Sequence, residues 1–181
     1  MIESLAGRLL VATPFLLDPN FYRTVVLMIE HDDDGSLGVV LNRPLEIPVS
    51  DYLDEWESLV AEPRVVFSGG PVRQEVALAV ARGPQSAGDL SALIIHDVQL
   101  VDLDHDPAEA GFETVRVFSG YAAWAPGQLE GEIRDEAWWV FASTPEDPFS
   151  SDAENLWPLV LKRQRGKVAL FATLPDDPGL N

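Results

Sequence analysis

The chain has 181 residues, 46% of them hydrophobic and five of them Trp, enough for a sizeable buried core and too apolar for a disordered chain. Twelve Lys and Arg against 30 Asp and Glu give a formal net charge of −18, which argues against a broad footprint on duplex nucleic acid, where affinity comes from clustered cations. The absence of cysteine excludes disulfides, thiolate catalysis, iron–sulfur clusters and Cys-based zinc sites.

Residues 1–5 (MIESL) lack the basic segment and long apolar run of a signal peptide. Apolar runs such as residues 9–12 and 39–41 fall far short of a membrane span. A soluble, cytoplasmic protein is the expectation. Without repeats or a low-complexity linker, the chain reads as one domain over residues 1–181.

In chain order, residues 8–13 (RLLVAT) form a short apolar strand closed by Pro14. Residues 24–30 (TVVLMIE) and 37–41 (LGVVL) flank an Asp-Gly turn, a strong hairpin signal. Their continuous aliphatic character predicts strands covered on both faces. Ser50 is placed to cap a helix over residues 51–60, with Leu53, Trp56, Leu59 and Val60 as its apolar stripe. Strands are expected at 65–67, 76–81, 93–95, 98–101 and 115–118. A short helix follows over 127–134, then an aromatic strand at 138–142. A last helix falls within 152–164, starting late or kinking at Pro158. Residues 168–172 read as a final strand. Interspersed helices and hairpin-linked strands indicate an α+β fold.

The standard catalytic signatures are missing: no Walker loop, no Gly-x-Gly-x-x-Gly, no His-Glu-x-x-His and no Gly-x-Ser-x-Gly. Asp102, Asp104, His105 and Asp106 are metal-ligand types, but their spacing fits no calcium loop. Residues 97–113 therefore read as a solvated acidic loop. Lys162, Arg163, Arg165 and Lys167 read as a cationic helix end rather than a nucleic-acid site. Ser68-Gly69-Gly70 and Ser119-Gly120 could each be a tight turn offering N–H groups to an anion, with close packing the commoner reason for such glycines. Glu130 and Glu132, two apart, do not share a helix face and are no obvious acid–base pair.

Three segments together resemble the AlgH/YqgE family. They are residues 10–44 (LVATPFLLDPNFYRTVVLMIEHDDDGSLGVVLNRP), 67–72 (FSGGPV) and 120–133 (GYAAWAPGQLEGEI). The order and long gaps match across nearly the whole chain, with Ala123 a departure where many relatives carry Gly. The resemblance implies an α+β fold in which a bent, divided, mostly antiparallel sheet forms a partial barrel with packed helices. It implies no established biochemical activity and no cofactor; the family's label as a transcriptional regulator has no helix-turn-helix here to support it.

The residues put forward for binding are Asp18, Arg23, Asn42, Ser68, Gly69, Gly70, Tyr121, Trp124 and Gln128. Asp18 can accept N–H groups of its own turn, and Arg23 can pair with Asp18 or Glu30 or clamp an anion. Tyr121, Trp124 and Gln128 combine aromatic surface with polar tips, suiting either a recognition surface or the core. The leading expectation is a non-enzymatic binding or regulatory protein with a protein partner. The alternative is a small-molecule or anion-binding protein, with or without enzyme activity. Direct nucleic-acid binding is disfavoured.

Overall fold

The computed structural model describes residues 3–84 and 93–176, so both ends of the 1–181 span lie outside it. Ten strands and three α-helices order the described residues. The strands are β1 (Arg8–Ala12), β2 (Val25–Asp32), β3 (Gly35–Val40), β4 (Pro44–Pro48), β5 (Val65–Ser68), β6 (Val72–Arg82), β7 (Leu93–Ile95), β8 (Val98–Val101), β9 (Thr114–Trp124) and β10 (Trp138–Ala142). The helices are α1 (Pro107–Ala110), α2 (Gln128–Arg134) and α3 (Leu156–Lys162).

The strands run in the order β10-β1-β2-β3-β9-β6-β8-β7, with β5 attached to β9 and β4 to β5. Among the described residues, every strand pairing is antiparallel except β5 with β9. The sheet is divided at β9. Its last residues pair with β3, Ala122 opposite Gly38 and Trp124 opposite Ser36, whereas its first residues pair with β6. The two ends of the sheet curl towards each other. Gly7, just before β1, lies so close to β7 that a Cβ there would sit 2.8 Å from the Ile94 carbonyl oxygen. Its φ of +78° and missing side chain permit that approach. The α+β half-barrel is the architecture expected of the sequence.

Alternation along β1 and β2 feeds two cores. Leu9, Val11, Val25 and Leu27 pack with Trp157, Val160 and Leu161 of α3, while Leu10, Ala12, Val26 and Met28 pack with Trp124, Leu129 and Trp138. Both faces are covered, which explains the unbroken aliphatic runs. Burying each such side chain contributes about 1.5–3 kcal/mol. A third cluster sets Val49, Trp56 and Val60 against β6 and β9.

Four local expectations need correction. The helix over 51–60 is instead two 3-10 turns, Val49–Asp51 and Asp54–Leu59, and Ser50 caps neither. Leu53, at φ −137° and ψ 56°, interrupts the helical backbone between them, and 3-10 geometry serves the short pieces that result. The strand expected at 168–172 is the 3-10 segment Gly166–Thr173, since a five-residue apolar run carries no period of its own. The acidic stretch 97–113 contains α1, whose first turn Asp106 caps by accepting from the Ala108 N–H. Ser119-Gly120 is no turn but the middle of β9. Pro158 falls in the first turn of α3, so of the two courses open to that helix, a late start and a kink, it takes the late start.

Candidate functional site

Of the candidate residues, Asp18, Arg23 and Asn42 gather around the connection from β1 to β2. Asp18 closes a tight turn there: its carboxylate accepts from the Asn20 N–H at 2.9 Å, and its carbonyl accepts from Phe21 and Tyr22. Arg43 braces the turn from outside, its Nη1 donating to the Asn20 carbonyl at 2.7 Å and its Nη2 to those of Pro19 and Tyr22. Burial lowers the Arg43 pKa, with Asp18 opposing. Asn42 locks the far end, taking the Val25 N–H on Oδ1 and donating from Nδ2 to the Arg23 carbonyl. Arg23 is thereby held at a φ of 53°, a region non-glycine residues seldom occupy.

The Arg23 side chain pairs with neither Asp18 nor Glu30. It lies over the Trp157 ring at 4.5 Å, reaches the carbonyls of Leu174 and Pro175, and meets Asp176 at 2.8 Å. The guanidinium fastens the C-terminal segment to the body of the fold, a partner that no sequence spacing could identify.

Ser68, Gly69 and Gly70 do meet Gly120 and Tyr121 in space. The Ser68 N–H donates to the Arg43 carbonyl, and the Gly69 N–H donates to that of Ser119 at 2.9 Å. These two amides are thus engaged within the sheet. Beside them a cleft of about 30 Å³ is lined by Asn20, Arg43, Ser68 and Gln74, room for little more than one water. Tyr121 is half-buried against the α3 core.

Trp124 and Gln128 belong to the other face. Phe21 stacks on Trp124 at 6.0 Å and meets Trp138 edge-on at 5.5 Å. Both indole N–H groups donate to one carboxylate oxygen of Glu132, at 2.9 Å from Trp124 and 2.8 Å from Trp138. Gln128 Nε2 donates to the other oxygen, while its own Oε1 accepts from the Ala125 N–H. Trp124 retains only 4% exposure, so it supports the site from within.

Glu130, on a different side of α2, meets the buried His31 at 2.8 Å. The Leu5 N–H donates to His31 Nδ1 at 3.0 Å, so the ring proton sits on Nε2 and is donated to Glu130. A hydrogen bond from its own backbone N–H, then that from His31, holds the Glu130 carboxyl below its ordinary range. Sequence reasoning missed this pair and also the acceptor role of Glu132. At the cationic end of α3, Arg163 is taken up by the buried Asp147 through two contacts of 2.7 Å.

What the turn presents outward is apolar. Phe15 is 72% exposed and Leu17 70% exposed, flanked by exposed Asp18, Pro19 and Asn20. Among the described residues, no group of three or more His, Asp or Glu side chains is gathered to hold a metal ion, and no helix is long and apolar enough to cross a membrane.

The fold is an α+β half-barrel, and this chain carries a braced, apolar-tipped turn at the β1–β2 connection. The chain belongs to the AlgH-like family, DUF179, whose sequence pattern matches residues 9–169. It is 51% identical to a UPF0301 protein of Streptomyces coelicolor over 99% of this chain and 97% of that relative. A UPF0301 protein of Thermobifida fusca is 47% identical, over 98% and 96% respectively. Among solved structures, a Corynebacterium diphtheriae protein superposes with a TM-score of 0.88 at 31% identity, covering 96% of this chain and 94% of that one. The AlgH protein of Pseudomonas aeruginosa gives a TM-score of 0.71 at 25% identity, over 98% and 100%.

Proposed function

We propose that this chain is a non-enzymatic binding protein, acting as one unit in the cytoplasm, that recognises a protein partner through residues 14–23. The observation carrying this reading is the pairing of Phe15 and Leu17, 72% and 70% exposed, with a backbone braced by Asp18, Arg43 and Asn42. Large apolar side chains held in advance of contact lose little freedom on binding, and such groups anchor interface cores. Phe21, Trp124 and Gln128 support the turn from behind. Any influence on transcription would pass through that partner, consistent with a net charge of −18.

The test is capture of partners from cell extract by the parent and by a Phe15→Ser/Leu17→Ser variant. The variant should fold normally and lose specific partners. Identical partner profiles from equally folded proteins would remove this surface from consideration. The alternative, an anion or small-molecule site at Arg43 and Ser68, has less support: the cleft is about 30 Å³ and Arg43 already serves three carbonyls.

A further inference from the structure

The cationic run at the end of α3 forms a second surface. Arg163 is spent on Asp147 at 2.7 Å. Lys162, Arg165 and Lys167 are exposed, and among the described residues none of them forms an ion pair. Lys162 complements the helix C-terminus. The other two have no such role. Arg165 and Lys167 flank the start of the 3-10 segment Gly166–Thr173, where unpaired backbone N–H groups leave positive partial charge. Local electrostatics therefore opposes these two cations, on a chain whose net charge is −18.

Apolar side chains flank the run. Leu159, 41% exposed, lies three residues before Lys162 on the same side of α3. Leu170, 70% exposed, lies three residues after Lys167, and residues so spaced eclipse one another in 3-10 geometry. The two elements share one core, Val160 and Leu161 packing inward from α3 with Val168 and Phe171 from the 3-10 segment. The cations and the two leucines are left on the outside.

We propose that this surface docks a short acidic peptide segment of a partner protein, its carboxylates on Lys162, Arg165 and Lys167 and an apolar side chain against Leu159 and Leu170. Charge complementarity selects the occupant: isolated cations on an acidic protein attract carboxylates, and the leucines reward an apolar group between them. An anionic membrane has the same sign of charge but is a plane, and a plane would also face the surrounding surface of a chain with 30 acids and 12 bases. A segment a few residues wide meets the cations within a Debye length, about 8 Å at physiological ionic strength, and avoids that repulsion. This inference uses none of residues 14–23 and does not rest on the partner-binding reading given for them.

The probe is the acetylated and amidated peptide EDFLDE, titrated into the ¹⁵N-labelled full chain and followed by amide shifts. The uncharged QNFLNQ and the acidic EDGGDE, which lacks the apolar pair, serve as comparisons. EDFLDE should give saturable shifts centred on residues 159–170 and bind at least about tenfold more tightly than QNFLNQ. Its affinity should fall as salt is raised, and EDGGDE should bind more weakly than EDFLDE. The Lys162→Gln/Arg165→Gln/Lys167→Gln variant alters exposed side chains without ion pairs, so it should fold as the parent does and lose about tenfold in affinity. Equal affinity for EDFLDE and QNFLNQ, shifts confined to other faces, or no saturable shift up to about 5 mM peptide would overturn the proposal. Tighter binding of phosphatidylserine vesicles or of a short oligothymidylate through the same residues would overturn it as well, in favour of a lipid or nucleic-acid surface. The comparison of peptides needs no substituted chain.

Discussion

The Arg116 guanidinium lies 4.2 Å from the centroid of the Phe67 ring, stacked on it in the interior where β9 passes β5. Among the described residues no carboxylate pairs with it closely. Its donors instead reach five backbone carbonyls, those of Ala61, Glu62, Pro63, Pro148 and Ser150. One side chain thus ties two distant loops to the central strand. Burial pushes its pKa down to about 10, so the group remains charged at neutral pH.

Replacing Arg116 should therefore be severe. Lys offers three donors from a compact ammonium and cannot stack as a plane, so Arg116→Lys should cost about 2–4 kcal/mol. Arg116→Met, which strands all five carbonyls, should cost more. Urea unfolding measures both, with the midpoint falling and the slope unchanged. An Arg116→Met midpoint equal to that of the parent would show that these contacts carry no stability.

Glu132 occupies a comparable position for the aromatic cluster behind the β1–β2 turn. Glu132→Ala removes the acceptor from two buried indoles at once and should destabilise by about 2–4 kcal/mol. Glu132→Gln keeps one carbonyl acceptor and should cost less. Tryptophan fluorescence with thermal unfolding reads both, and equal melting temperatures for Glu132→Ala and parent would refute the role.

Glu130 supplies a pH dependence whose sign is fixed. Its folded pKa lies below the ordinary 4.5, held down by its backbone N–H, then His31, with a smaller contribution from Arg134. The unfolded chain therefore binds the proton first as pH falls. The stabilisation is complete above the unfolded value and disappears as pH drops through the folded one. Parent protein should consequently lose more stability than Glu130→Gln between pH 5 and the acid limit of folding. Parallel stability–pH curves for the two would contradict this account.

The N-terminal hairpin was legible because β-branched runs around an Asp-Gly turn specify strands locally, and β2 and β3 fall within two residues of the expected bounds at each end. Pro158 narrowed α3 to a late start or a kink, and the helix takes the late start. The eleven-residue length of β9 was not legible, because Gly120, at φ +71°, reads locally as a turn. Its strand character comes from β3, β5 and β6, all distant in sequence. β4, bounded by Pro44 and Pro48, was hidden for the same reason: its pairing with β5 lies beyond any local signal. The candidate site followed a similar division. The Asp18 turn was readable from Asp-Pro, whereas the attachment of Arg23 to Asp176 spans 153 residues. Trp124, put forward for binding, is buried, and that burial depends on Phe21 and Trp138 arriving from other elements.

Two glycines in different surroundings should respond to the same substitution with opposite signs. At Gly69 a Cβ would stand 2.3 Å from the Gly120 carbonyl oxygen, and at Gly70 it would stand 2.2 Å from the Tyr121 carbonyl carbon. The obstructing atoms are backbone and cannot rotate away. Gly69→Ala therefore forces β5 and β9 apart and should cost upwards of about 2 kcal/mol. Gly131 lies within α2 with nothing within 4 Å of its added Cβ. There alanine restricts the unfolded chain and favours helix, so Gly131→Ala should stabilise by about 0.5–1 kcal/mol. Chemical denaturation of both variants beside the parent decides the matter. A tolerated Gly69→Ala would mean that the contact between the two glycine segments is looser than the structure shows, and that the FSGGPV stretch owes its glycines to something other than close packing.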